Sequence, residues 1–132
     1  MDIKDLRIGD IVSTKTTLST YNKYPKVIAL DNNDEVALDS FDDYNEFEFK
    51  VDDICGYKVN NELLEQLGGI YDFKAVQHVF TFSGGLRIAI RPQTGTENYI
   101  ATRIGEYRPK YCYFTYIHQL QHWLWDVYKV EL

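Results

Sequence analysis

The sequence predicts an α+β fold in which a mostly antiparallel sheet is covered by one short helix and one C-terminal helix. Three features predict it: short alternating segments between turn residues, a Gly-Gly hairpin, and an amphipathic C-terminal segment. A chain of 132 residues is close to the usual size of one domain, so we expect residues 1–132 to form a single domain. Within it, residues 1–58 form a β-rich acidic half and residues 59–132 an α+β half.

The first half contains short strands joined by tight turns. Segments KVIAL and EVALD flank DNND at residues 31–34, four strong turn formers, and therefore predict a hairpin. In EFEFKV, charged residues alternate with Phe47, Phe49 and Val51, as in a strand with one buried face. Further strands at LRIGDIV and ICGYKV complete the set. Together these segments predict an SH3-like or otherwise partial barrel.

The second half begins with a short helix and continues as a hairpin-rich sheet. NNELLEQLGG predicts a helix with Asn60 or Asn61 as its N-cap and Gly68 as its terminator. In VQHVFTFSGGLRIAIR, Gly84-Gly85 predicts a two-residue hairpin turn. That register sets one apolar core face against one aromatic and basic face. The core face is Val79, Thr81, Ile88 and Ile90, and the other face is His78, Phe80, Phe82, Arg87 and Arg91. NYIATRI and YCYFTY predict the next two strands.

The last segment, YIHQLQHWLWDVYKVEL, predicts a helix that docks on the sheet. At helical spacing its docking face consists of Ile117, Leu120, Trp123, Leu124, Val127 and Tyr128. His118 and His122 are neighbours on the opposite side. Two histidines four apart are a geometry by which helices offer zinc ligands, but Gln119 stands where the metalloprotease motif needs Glu. The pair is therefore a weak metal candidate, and a polar or partner-facing stripe is the simpler interpretation.

The acidic charge is concentrated in one part of the chain. Residues 31–53 hold ten acids and one lysine, so this stretch is −9 while the whole chain is −6. This distribution disfavours nucleic-acid binding by the whole surface, but not by a local patch in the second half. Phe80, Phe82, Arg87 and Arg91, with the nearby Tyr99, Arg103, Tyr107, Arg108 and Lys110, are the candidate patch. They could stack bases, meet an acidic protein, or pack as cation–π pairs beneath the C-terminal helix.

Two cysteines and the N-terminal segment bear on the compartment. Cys55 and Cys112 each lie in an apolar or aromatic run, which is typical of buried thiols in a reducing compartment, although one bridge between them stays open. MDIKDLRIGD has neither the basic nor the apolar region of a signal peptide. No apolar run is long enough to cross a bilayer. We therefore expect a cytoplasmic protein with no membrane partner.

The two ends of the chain carry motifs that resemble a known group. DLRIGDIV and YIHQLQ resemble the L-R-I-G-N-x-V opening and V-H-Q-L-Q helix of short uncharacterised proteins from Bacteroidetes-type bacteria and their phages or prophages. NELLEQLGG is similar to a short helix in the middle of that group. The resemblance implies a phage or mobile-element accessory protein. It also implies a hydrogen-bonding role for His118 near the helix start, because His122 stands where the group has Asn.

Together these features favour a non-enzymatic binding or interaction protein. A protein partner, met through the acidic stretch with Asp42 and Asp43 or through the hairpin face, is the leading interpretation. Nucleic-acid binding by the hairpin face and an acidic DNA mimic that inhibits a host enzyme are the alternatives, and self-association stays open. The sequence names no catalytic residue and no cofactor.

Overall fold

The computed structural model describes residues 3–15, 24–31, 33–39 and 47–132. Its chain divides into two compact units, Met1–Tyr57 and Lys58–Leu132, next to the predicted boundary between the two halves. The strands are antiparallel in every sheet and two α-helices accompany them, so the predicted α+β class is confirmed. The expectation of a single domain stays a prediction.

The first unit contains two small sheets. Its strands are β1 (Val12–Thr14), β2 (Val27–Leu30), β3 (Glu35–Leu38), β4 (Phe47–Lys50) and β5 (Ile54–Gly56). β1 pairs with β5, and β2, β3 and β4 form a three-stranded sheet. Short 3-10 helices lie at Ile3–Asp5 and Val51–Asp53. All five strand segments predicted from the sequence are present, whereas the SH3-like description of them stays a prediction.

The turn between β2 and β3 shows why this hairpin was predictable. The Asp31 carboxylate accepts hydrogen bonds from the Asn33 and Glu35 amides at 2.8 and 3.1 Å, and Asp34 has a φ of 59°. Short polar side chains make such turns because they bond to nearby backbone and tolerate positive φ. The first unit buries a core of aliphatic and aromatic residues: Leu6, Val12, Val27, Val36, Leu38, Phe49, Val51 and Ile54.

The second unit is a five-stranded antiparallel sheet with a helix at each end of its sequence. Its elements are α1 (Asn61–Gln66), β6 (Ile70–Asp72), β7 (Gln77–Thr81), β8 (Arg87–Pro92), β9 (Tyr99–Arg103), β10 (Tyr111–Phe114) and α2 (Ile117–Tyr128). The strands lie side by side in chain order from β6 to β10. The Asn60 side chain accepts from the Leu63 amide at 2.8 Å, as the predicted N-cap of α1. The sequence did not predict β6.

The β7–β8 hairpin differs from the predicted one by a single residue of register. Thr81 pairs with Arg87 and Phe80 with Ile88, whereas the sequence predicted Thr81 against Ile88. The loop has three residues, Ser83–Gly85, closed by the Phe82 amide donating to the Leu86 carbonyl at 2.8 Å. Gly84 and Gly85 both have positive φ, 82° and 84°, which glycine adopts without a steric cost. The predicted two-residue Gly-Gly turn is therefore wrong.

This shift exchanges the two faces of β7, because side chains alternate along a strand. The buried face holds His78 and Phe80 with Ile88 and Ile90, and Val79 and Thr81 lie on the other side. We call the buried side the covered sheet face: His78, Phe80, Ile88, Ile90, Ala101 and Phe114.

Both helices lie on the covered sheet face. His78 approaches Glu65 of α1 at 3.4 Å, and the Arg103 guanidinium lies 5.9 Å from the Tyr128 ring centroid of α2. Within the predicted docking face of α2, Ile117, Leu120 and Leu124 are fully buried, and Trp123, Val127 and Tyr128 are half-buried. The docking role of this helix is thus confirmed. Its first turn is closed by Gln119, whose Oε1 accepts from the Thr115 and Tyr116 amides at 3.0 and 3.1 Å.

Candidate binding surface on the second unit

Two arginines project from the central strand of the sheet on the side away from the helices. Arg87 pairs with Thr81 and Arg91 with Ile100, and both arginines are exposed. Four residues of strand set them about 13 Å apart along β8. Neither guanidinium forms an ion pair or hydrogen bond with another residue of the described ranges. Two positive charges are therefore available to a partner on one side of the sheet.

The aromatic residues predicted to accompany these arginines lie elsewhere. Phe80 is only 4 % exposed and belongs to the covered sheet face, because of the register shift. Phe82 directly precedes the Ser83–Gly85 loop and is half-buried. The predicted face that combines Phe80 and Phe82 with Arg87 and Arg91 is thus wrong in its aromatic half, while its two arginines do share one exposed side.

The aromatic residues that share the exposed side of the sheet with the arginines are two tyrosines on the edge strand. Tyr111 and Tyr113 alternate with Cys112 and Phe114 along β10, and they are 51 % and 60 % exposed. Register joins them to the arginine strand, because Tyr113 pairs with Ile100 and Ile100 pairs with Arg91. Two strand spacings separate Arg91 from Tyr113, about 10 Å between their backbones. The signal was in the sequence, as the alternation Tyr-Cys-Tyr-Phe of a strand with one wet face.

These residues form one surface, which we call the open sheet face. It consists of Ile70 and Asp72 on β6, Gln77, Val79 and Thr81 on β7, Arg87, Ala89 and Arg91 on β8, Ile100 and Thr102 on β9, and Tyr111 and Tyr113 on β10. Arginines and tyrosines lie toward its ends, and small or half-buried apolar residues lie between them. The surface therefore offers two arginines and two tyrosines around an apolar middle. Of the residues named, only Asp72 is acidic, and its carboxylate accepts hydrogen bonds from the Lys74 and Ala75 amides of the β6–β7 turn.

The other basic and aromatic candidates divide between the covered face and a turn. Tyr99 lies on the covered side, 6.1 Å from the Phe114 ring, and Arg103 lies over Tyr128. Tyr107, Arg108 and Lys110 lie in the turn between β9 and β10; Tyr107 is 94 % exposed there. None of these five belongs to the open sheet face.

His118 is buried, against the prediction that it faces away from the core. Its side chain is only 8 % exposed. The Tyr116 ring is stacked on one side at 6.0 Å, and the His122 ring approaches at 5.6 Å in an edge arrangement. A helical wheel shows only which residues face the sheet. It does not show that the rings of Tyr116, just before the helix, and His122, one turn further along it, contact His118. The predicted adjacency of His118 and His122 is correct.

The structure offers no third metal ligand near His118 and His122 among the described residues. No group of three His, Cys, Asp or Glu side chains with metal-binding geometry exists within the described residues. Zinc needs at least a third protein ligand.

His78 is the most buried histidine, at 2 % exposure. Its Nε2 lies 3.4 Å from Glu65 Oε1, and the Tyr71 ring packs on it at 5.0 Å. These contacts link β6, β7 and α1, so His78 joins the helix to the sheet and does not lie on the exposed hairpin side that the sequence predicted.

The two cysteines are free thiols in different units. Burial raises the pKa of the Cys112 thiol to about 11, because the charged thiolate is disfavoured away from water. Cys112 is therefore a neutral thiol near pH 7, which is poorly suited to nucleophilic chemistry. Cys55 donates a weak hydrogen bond to the Ser13 carbonyl at 3.5 Å across the β1–β5 pair.

Asp42 and Asp43 lie outside the described residues, so the acidic partner surface stays a prediction. In the part of the chain that is described, no helix has the length and apolar character needed to cross a membrane. No family model, no curated protein and no solved structure matches the chain.

Proposed function

We propose that this protein is a non-enzymatic binding module whose open sheet face holds a negatively charged partner. The single observation that carries this proposal is the pair Arg87 and Arg91, exposed on one side of the central strand and without an ion-pair or hydrogen-bond partner among the described residues. Surface charges that are already paired contribute little to recognition. Unpaired guanidinium groups bind carboxylates and phosphates strongly, often through two parallel hydrogen bonds.

The arrangement supports binding better than catalysis. His78 is buried under the helices and Cys112 is held as a neutral thiol, so neither group serves the open sheet face. The resemblance of both chain ends to bacterial and phage accessory proteins is compatible with a small binding module and names no activity. A phage or mobile-element origin, and an intracellular place of action, are part of this proposal.

Retention on heparin, a polyanion, tests the proposal directly. The wild-type protein should bind at low salt despite its net charge of −6 and elute as NaCl rises, because two or more local cations are sufficient for a screened attraction. The double variant Arg87→Glu/Arg91→Glu should appear in the flow-through.

A matched control separates local from total charge. Lys74→Glu/Arg108→Glu makes the same change in net charge, but Lys74 lies in the β6–β7 turn and Arg108 in the β9–β10 turn. This control should elute close to the wild type. Equal loss of retention in both double variants, or no retention of the wild type, would refute the open sheet face as the binding surface.

A further inference from the structure

We infer that the negatively charged partner is single-stranded nucleic acid, with bases stacked on Tyr111 and Tyr113 and phosphates held by Arg87 and Arg91. This inference rests on the proposed function and deepens it by naming the class of ligand. Its basis is that the open sheet face offers two different chemistries in one plane: guanidinium groups on the central strand and exposed phenol rings on the edge strand.

The spacing of the tyrosines fits successive bases. Residues two apart on a strand project from the same face about 7 Å apart, so the two rings can each receive one base of an extended strand. Sheets that bind single strands use exposed aromatic side chains in this way, and stacking tolerates any base because every base has a π-face. Neither ring makes a ring–ring or cation–π contact with another described residue, and each tyrosine is more than half exposed, so each ring offers surface on which a base can stack.

The position of the arginines completes the argument. Arg91 lies on the same cross-strand row as Tyr113, with Ile100 between them. A base stacked on Tyr113 therefore has its backbone within reach of a long guanidinium side chain from β8. An acidic protein segment would use the arginines but gain little from two exposed phenol rings, whereas a nucleic acid uses both. Duplex DNA hides its bases, so it too leaves the tyrosines unused.

The test is binding of fluorescein-labelled dT20 by the full-length protein, followed by anisotropy. We expect affinity that falls with salt, and a fall in the logarithmic salt slope of about 1.4 in Arg87→Gln/Arg91→Gln, since each single-strand phosphate contact contributes about 0.7. Tyr111→Ala/Tyr113→Ala should weaken binding at least about fivefold. Tyr111→Phe/Tyr113→Phe should bind like the wild type, because stacking needs the ring and not the hydroxyl.

Three outcomes would overturn the inference: dT20 binding unchanged in Tyr111→Ala/Tyr113→Ala, equal affinity for a 20-base-pair duplex, or equal competition by a poly-glutamate peptide. The last result would assign the face to acidic protein partners.

Binding to heparin distinguishes failure of this inference from failure of the proposed function. Tyr111→Ala/Tyr113→Ala should elute from heparin with the wild type, since heparin has no bases. Arginine-dependent heparin binding without tyrosine-dependent dT20 binding would leave the proposed function standing and remove this inference.

Discussion

Glycine 69 shows how one residue stabilises the observed register of the second unit. A Cβ atom at Gly69 would lie 2.8 Å from the Leu64 carbonyl oxygen and 2.8 Å from Phe80 Cζ. Carbon atoms of a folded core do not approach so closely. Phe80 can therefore fill the space above Gly69 only because that residue has no side chain, and this contact exists only when Phe80 faces the helices.

Substitution of Gly69 by Ala should lower the free energy of unfolding by about 1–3 kcal/mol, because either the aromatic ring or the backbone must move. The measurement is chemical unfolding followed by circular dichroism. Thr94→Ala, in an exposed loop, is the control and should change the stability by less than about 0.5 kcal/mol. If Gly69→Ala unfolded with the same midpoint as the wild type, Phe80 would not occupy the described position.

Residue-scale features differ in how far the sequence could predict them. The Asn60 cap and the Asp31 turn were predictable because each depends on a side chain that bonds to backbone within a few residues. The burial of Phe80 was not predictable in the same way. It depends on a loop conformation and on a close approach to Gly69, neither of which local alternation specifies.

At the scale of elements, the N-terminus of α2 depends on Gln119. Its Oε1 atom accepts from two amides that precede the helix, those of Thr115 and Tyr116. The helix has no side-chain cap at the usual position, since its N-cap residue is Tyr116. The Gln119 side chain therefore satisfies donors that would otherwise lack an intrahelical partner.

Gln119→Ala should destabilise the second unit by about 1 kcal/mol, the usual cost of losing a helix cap. Gln119→Glu keeps an acceptor at the same place and adds a charge that favours the helix N-terminus, so it should be at least as stable as the wild type near pH 7. Thermal unfolding of the three proteins checks both results. Equal loss of stability in the Ala and Glu variants would contradict the capping role.

The sequence predicted elements correctly where the pattern lies within one element. It failed where the outcome depends on how two strands pair. The apolar arc of α2 identified Ile117, Leu120 and Leu124 as core residues, because one helix face must be buried to hold it on a sheet. The alternation in β7 was correct in period but not in phase. Both Val79 with Thr81 and His78 with Phe80 are plausible core pairs. The length of the Ser83–Gly85 loop and the space above Gly69 determine which pair is inside, and the alternation of β7 specifies neither.

At the scale of the whole molecule, charge differs sharply along the chain. The acidic stretch at 31–53 is −9 and the remaining residues sum to +3, so most of the negative charge belongs to the first unit. Repulsion among like charges opposes compact folding, and salt screens it. The open sheet face belongs to the second unit, which carries little net charge, so the proposed binding of a polyanion does not conflict with the acidity of the whole chain.

The melting temperature should therefore rise by a few degrees between low salt and about 150 mM NaCl, as the repulsion is screened. Asp52→Asn, which removes one exposed charge of the stretch, should raise the melting temperature at low salt and weaken its salt dependence. Glu131→Gln removes one charge outside the stretch and serves as the matched control. A melting temperature that falls with added salt, or equal effects of both variants, would contradict this account.

The three-residue loop between β7 and β8 has an evolutionary consequence. Its amino acids can vary as long as the residues with positive φ are kept. Its length can change only by an even number of residues if the same β7 side chains are to stay buried. Loss or gain of one residue would turn the β7 side chains over, burying Val79 and Thr81 and exposing His78 and Phe80, whereas changes by two would preserve the pattern. In descendants of this chain, insertions and deletions at this tip should therefore come in pairs, even where the sequence of the tip has drifted.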